Sequence, residues 1–157
     1  MCTCSNPEIL VITSRKRFEG EADFLKQIEK IAAAKPFGIV LREKDLPVKE
    51  YSALARRVRD ICRSAGASLI VHGHPEVARK LGIPALHMPL DALENMSSEE
   101  RKEFRVLGAS CHSVEDVLRA KAFGCDYVTA GHVYATDCKP GLPPRGADFL
   151  AEVCGPA

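Results

Sequence analysis

Short apolar runs recur at even spacing along the chain: "ILVIT" (9–13), "FGIVL" (37–41), "SLIVH" (68–72), "PALHM" (84–88), "RVLGAS" (105–110) and "DYVTAG" (126–131). They are near-continuously apolar rather than alternating, the pattern of parallel strands buried on both faces. Between them, apolar positions return every three or four residues. "EADFLKQIEKIAAA" and "VKEYSALARRVRDICRSAG" predict amphipathic helices, the second stopped by Gly66. "HPEVARKLG" predicts a shorter helix, also ending in glycine. "SSEERKEF" opens on Ser97 and Ser98, good cap residues, with glutamates in its first turn. In "SVEDVLRAKAFG" Ser113 is the N-cap and Asp116 takes the place of the capping-box acid. "RGADFLAEVC" begins a last helix.

Strand and helix thus alternate six times, which predicts the α/β class with a parallel sheet in a single domain over 1–157. Two architectures fit this rhythm. One is an open doubly wound sheet. The other is a (β/α)₈ barrel, which typically needs roughly 200 residues or more. The count of visible units favours the open sheet. In both, ligands bind at the carboxyl ends of the strands, so the residues just after each apolar run are the ones to inspect.

Composition narrows the class further. At 46% hydrophobic and 27% charged residues, the chain reads as a globular protein. A net charge of +1 gives no case for broad nucleic-acid binding, so any anion site must be local. No apolar stretch approaches the roughly 20 residues that cross a bilayer. "ILVIT" is too short for the core of a signal peptide, and the chain reads as cytoplasmic, with no membrane partner. The seven cysteines are odd in number and scattered, which argues against a disulfide framework. Cys2 and Cys4 form a C-x-C pair that lacks two further ligands nearby and reads as free thiols.

The strand ends carry the candidate chemistry. Arg42, Glu43, Lys44 and Asp45 follow the second run, and His72, Gly73 and His74 close the third. Ser110, Cys111 and His112 follow the fifth; Gly131, His132, Thr136 and Lys139 follow the sixth. The bland alternatives are a solvated charge cluster at 42–44 and structural roles for His72, His74 and His112. His87, inside an apolar run, reads as a satisfied core histidine. The stretch "YVTAGHVYATDCKPGLPPRG" is the strongest feature, because it places small and polar residues directly after a buried strand. A phosphate needs cations and closely approaching backbone N–H groups. Arg42, Lys44 and Lys139 supply the first; Gly131, Gly141 and Gly146 permit the second. A proton shuttle near neutral pH calls for histidine, and His112, after a central strand, is the best placed.

Taken together, "LREKD", "GASCHSVEDVLRAKAFGCDYV" and "GHVYATDCKPGLPPRG" resemble the thiamine phosphate synthase/TenI family, and the resemblance runs from Ile9 to Cys154. It implies a TIM-type (β/α) barrel, here truncated to about six βα units, in place of the open sheet. It also implies one of two activities. The synthases join a hydroxymethylpyrimidine diphosphate to a thiazole phosphate and release pyrophosphate with Mg²⁺. The TenI-like tautomerases aromatise a thiazole phosphate carboxylate by moving a proton, with a histidine and no metal.

The chain departs from the synthase pattern where that pattern binds metal. The Asn-Asp pair after the third strand is replaced by His72 and Gly73, and the second metal-binding Asp falls on Ala92, with Asp91 beside it. The synthase glutamine is Val40, and one of two loop threonines is Cys138, while Thr136 remains. "GHVYATDCK" and Ser110-Cys111-His112-Ser113 match the tautomerase group more closely, so the resemblance puts a tautomerase first, with a synthase and a non-catalytic phosphate-binding relative as alternatives. His112 is then the general acid/base. Lys139 and Thr136 help hold the thiazole phosphate, with Arg42 and Lys44 near its carboxylate or phosphate, and His72, Ser110, Gly131 and His132 complete the ligand set. No resident metal is expected, Mg²⁺ belonging to the synthase alternative alone. The seventh and eighth βα units of the family are missing. The unpaired strand edges this implies invite association with a second copy of the chain.

Overall fold

The computed structural model describes residues 9–136, 141 and 143–155, and within it the chain forms two compact units that divide after Leu86. The first unit holds β1 (Leu10–Ile12), a single 3₁₀ turn (Arg15–Arg17), α1 (Glu21–Ala33), β2 (Gly38–Leu41), α2 (Val48–Ala65), β3 (Leu69–His72) and α3 (Pro75–Leu81). β1 pairs in parallel with β2, and β2 with β3, in a register that sets Ile39 beside Val11 and Val40 beside Ile70. Every residue of β2 and β3 is buried. That explains why the two runs read as continuously apolar: neither face meets water.

The helices of this unit form where the sequence spacing places them. α1 buries Phe24, Leu25, Ile28 and Ala32, and α2 buries Tyr51, Leu54, Ala55, Val58 and Cys62, in each case one stripe at three-to-four-residue spacing. Burying one such Leu, Ile, Val or Phe stabilises by about 1.5–3 kcal/mol. A charged residue at Val58, which is wholly buried, would break the stripe at its centre. α2 stops at Gly66, whose φ of 68° is the left-handed conformation that a residue with Cβ resists.

The second unit takes in the end of β4 (Ala85–Pro89), then α4 (Leu90–Glu94), α5 (Ser98–Lys102), β5 (Val106–Cys111), α6 (Val114–Ala122), β6 (Tyr127–Ala130) and α7 (Gly146–Cys154). β5 and β6 are parallel neighbours, with Gly108 beside Tyr127 and Ser110 beside Thr129. Ser97 caps α5 in a full capping box with Glu100. Ser113 caps α6 by accepting from the backbone N–H of Asp116 at 3.0 Å. Two expectations change here. β5 includes Ser110, as the run 105–110 predicts, and extends one residue further through Cys111. α4 has five residues, too few for a helical period to emerge from the sequence.

Six βα units of parallel strand and helix therefore follow one another, the repeating element of the TIM-type barrel. Among the described residues, no helix is long and apolar enough to cross a membrane.

Candidate active site

In the first unit the strand ends are locked by a buried carboxylate. Glu43 is only 4% exposed. It accepts the Thr13 hydroxyl at 2.6 Å and the backbone N–H of Arg15 at 3.0 and 3.1 Å. Thr13 Oγ1 in turn accepts from the backbone N–H of Arg42 at 3.0 Å. The run Arg42-Glu43-Lys44 is thus not a solvated cluster throughout. Its middle residue ties β1 to β2, and the cations on either side are exposed. A second tie lies one strand along. The Tyr51 hydroxyl, from α2, donates to the carbonyl of Leu41 at 2.6 Å and accepts from the backbone N–H of His72 at 3.1 Å. Burial pushes the Tyr51 phenol well above its ordinary pKa, so it stays a neutral donor and acceptor. His72 is the buried last residue of β3. His74 packs at a tilt against the Tyr51 ring, with centroids 4.3 Å apart and its Nδ1 3.2 Å from Glu76.

The second unit brings its candidates together at the ends of β5 and β6. His112 follows β5 and is exposed. Its backbone N–H donates to the Asp116 carboxylate at 2.7 Å, and its Nδ1 lies 2.9 Å from the carbonyl oxygen of Gly131. A carbonyl only accepts, so Nδ1 carries the hydrogen. A neutral ring held this way has its lone pair on Nε2, the arrangement a general base requires. Asp116, expected to reach back to the N-cap residue, reaches one residue further, to His112. Gly131 serves through its carbonyl. His132 is half-buried, and Thr136 is exposed. Lys139, together with Asp137 and Cys138, lies outside the described residues, as do Cys2 and Cys4.

The same unit contains a cluster that sequence reasoning passed over. His87, on β4, is 3% exposed, and both its ring nitrogens are engaged. Nδ1 lies 3.0 Å from the Tyr127 hydroxyl and Nε2 2.9 Å from Ser110 Oγ. Thr129 Oγ1 donates to Ser110 Oγ at 3.4 Å. Satisfied core histidine therefore describes His87, but its partners include a predicted ligand residue. The signal in the sequence was weak: a lone His in an apolar run, 23 residues from Ser110 and 40 from Tyr127.

Among the described residues, no three His, Cys, Asp or Glu are grouped so as to hold a metal ion by themselves. Asp91 is 94% exposed in its side chain and lies 3.9 Å from Arg119. The described cysteines, Cys62, Cys111, Cys125 and Cys154, are free thiols. Burial pushes Cys62, Cys111 and Cys125 each up to about 11, which makes them poor nucleophiles near neutrality.

Comparison with known proteins decides the family. The profile of the family described as thiamine monophosphate synthase matches residues 9–156, nearly the whole chain. The chain belongs to that family. A thiamine-phosphate synthase of Roseiflexus sp. is 32% identical over 151 residues, covering 92% of this chain and 62% of the relative. Another, from Thermus thermophilus, is 31% identical over 143 residues, covering 90% and 68%. The chain thus spans about two thirds of these relatives' length. A thiamine phosphate pyrophosphorylase from Pyrococcus furiosus shares the fold with a TM-score of 0.73 at 24% identity, covering 93% of this chain and 68% of that one. The barrel expectation therefore stands, and the open sheet does not. The order of activities within the family shifts: the relatives carry the synthase name, where the sequence motifs had put a tautomerase first.

Proposed function

We propose that this chain acts in thiamine biosynthesis on phosphate-bearing substrates, with the synthase reaction as its first reading. In that reaction a hydroxymethylpyrimidine diphosphate and a thiazole phosphate are joined, and pyrophosphate leaves. What supports it is membership of a family whose relatives, at 31–32% identity, are named thiamine-phosphate synthase. Arg42, His72, Ser110, His112 and Gly131 lie at or directly after a strand's carboxyl end, where barrels of this type bind ligands. In this reading Arg42, Lys44 and Lys139 offer positive charge to the substrates' phosphates, Ser110 and Thr136 offer hydrogen bonds, and His72 and His132 are further ligand-binding candidates, each within its own unit. His72 and Gly73 offer no carboxylate pair at the end of β3, where one would hold Mg²⁺.

A tautomerase is the second reading, favoured by one observation: His112 holds Nδ1–H on the Gly131 carbonyl and leaves Nε2 as the base. Under it Nε2 takes a proton from the thiazole carboxylate substrate and returns it at another atom.

Two assays on the chain separate the readings. Pyrophosphate release from the two synthase substrates with Mg²⁺ supports the first, and its absence overturns it. Aromatisation of the thiazole phosphate carboxylate in EDTA supports the second. There His112→Gln is expected to lower kcat by about 10²–10⁴-fold, and an unchanged rate removes His112 as the base.

A further inference from the structure

The hydroxyls of Tyr127 and Ser110 occupy the two ring nitrogens of one buried histidine, and the direction of these hydrogen bonds determines what Ser110 can offer a ligand. A neutral imidazole has one N–H donor and one acceptor nitrogen. Two arrangements are possible around His87. In one, Ser110 donates to Nε2 and Nδ1–H donates to Tyr127, so the serine proton is already engaged. In the other, Tyr127 donates to Nδ1 and Nε2–H donates to Ser110 Oγ. Ser110 then also accepts from Thr129, which fills its two lone pairs. Its own O–H is left for an outside acceptor.

A phenol is ordinarily a better hydrogen-bond donor than an aliphatic hydroxyl, and burial pushes the Tyr127 phenol well above its usual range, so it keeps its proton to donate, which favours the second arrangement. The fold also fixes the phenol. Tyr127 lies against Gly108, its register neighbour on β5, where an added Cβ would meet the ring's Cζ at 2.2 Å. The absence of that Cβ allows Tyr127 to reach His87.

We propose that Tyr127 sets the tautomer of His87 so that Ser110 is held as a hydrogen-bond donor toward an anionic oxygen of the bound ligand. Tyr127 and His87 are positioning residues; Ser110 alone touches the ligand. The ligand side rests on the phosphate-binding reading above, while the tautomer is a property of the free protein.

The first test is long-range ¹H–¹⁵N correlation on the ¹⁵N-histidine-labelled chain at pH 8. A neutral His87 with hydrogen on Nε2 is expected. Hydrogen on Nδ1, or an imidazolium, overturns the relay directly in the unmutated protein, whatever any variant does. In Tyr127→Phe the Nε2–H form is expected to lose its dominance, and an unchanged tautomer overturns the role of Tyr127. The second test titrates inorganic pyrophosphate by calorimetry. Ser110→Ala and Tyr127→Phe are each expected to weaken binding by about tenfold, and the double variant by no more than Ser110→Ala alone. Additive losses overturn the relay. If the unmutated chain has the Nε2–H tautomer and Tyr127→Phe shifts it, but pyrophosphate does not bind, the relay stands and the phosphate-binding reading falls.

Discussion

Tyr127 packs directly over Gly108, with Cε1 and Oη each 2.5 Å from where a Cβ would stand. No side chain fits at 108 without moving the ring, and the ring is tied to His87 at its far end. Gly108→Ala is therefore expected to break the His87–Tyr127 hydrogen bond and to destabilise the chain by about 1–3 kcal/mol. Urea denaturation measures the loss, and a variant as stable as the parent would show that β6 shifts freely.

Tyr51 holds the ends of β2 and β3 with one oxygen atom. Tyr51→Phe keeps the ring and its contact with His74 but removes two buried hydrogen bonds, one to the Leu41 carbonyl and one from the His72 N–H. Two such bonds contribute about 1–3 kcal/mol together. Chemical denaturation of this variant should show a loss in that range, with no change in the slope against denaturant.

Glu43 makes a more polar lock, accepting one hydroxyl and one backbone N–H in a buried site. Glu43→Gln keeps the shape but turns one acceptor oxygen into a donor facing other donors. A loss of about 1.5–3 kcal/mol follows, since these are hydrogen bonds to a charged group. Arg42 and Lys44 flank that lock. Under the proposed phosphate-binding role of Arg42 and Lys44, affinity for inorganic pyrophosphate is expected to fall in Glu43→Gln together with stability, and calorimetry at a temperature where the variant remains folded checks it.

Alkaline pH should weaken the fold through its thiols. Burial raises Cys62, Cys111 and Cys125 from the ordinary 9.0 to about 11. Between those values the unfolded chain has released protons that the folded chain still holds, so unfolding gains as pH rises. The thiol contribution is whole below pH 9 and is lost towards 11. Urea midpoints at pH 8, 9.5 and 10.5 should decline in that order. Replacing the three cysteines with alanine should flatten the decline.

The sequence rendered the periodic elements well and the contacts poorly. The strands at 37–41 and 68–72 and the stripes of α1 and α2 emerged within a residue or two, because burial repeats along them. The caps at Gly66, Ser97 and Ser113 emerged because each rests on local backbone geometry. His112 was found by its position after a strand. Glu43 was read as part of a charged cluster, because its partners Thr13 and Arg15 lie 28–30 residues away. His87 lies in the core as its apolar run predicts, but its partners Ser110 and Tyr127 were hidden for the same reason, being 23 and 40 residues away. A single hydrogen bond between distant strands leaves no period in the chain.

Beyond β6, the backbone N–H groups of Arg145 and Gly146 donate to the carbonyls of His132 and Val133, each at 3.0 Å. These two bonds close the neck of the segment that carries Thr136 and Lys139. The entropy of joining its ends is then set at the neck and depends only weakly on what lies between, about 0.6 kcal/mol for each doubling of length. The segment can therefore gain or lose residues at little thermodynamic penalty while its two ends stay in register. Mutational drift between those two ends can then proceed without disturbing the strand that bears them.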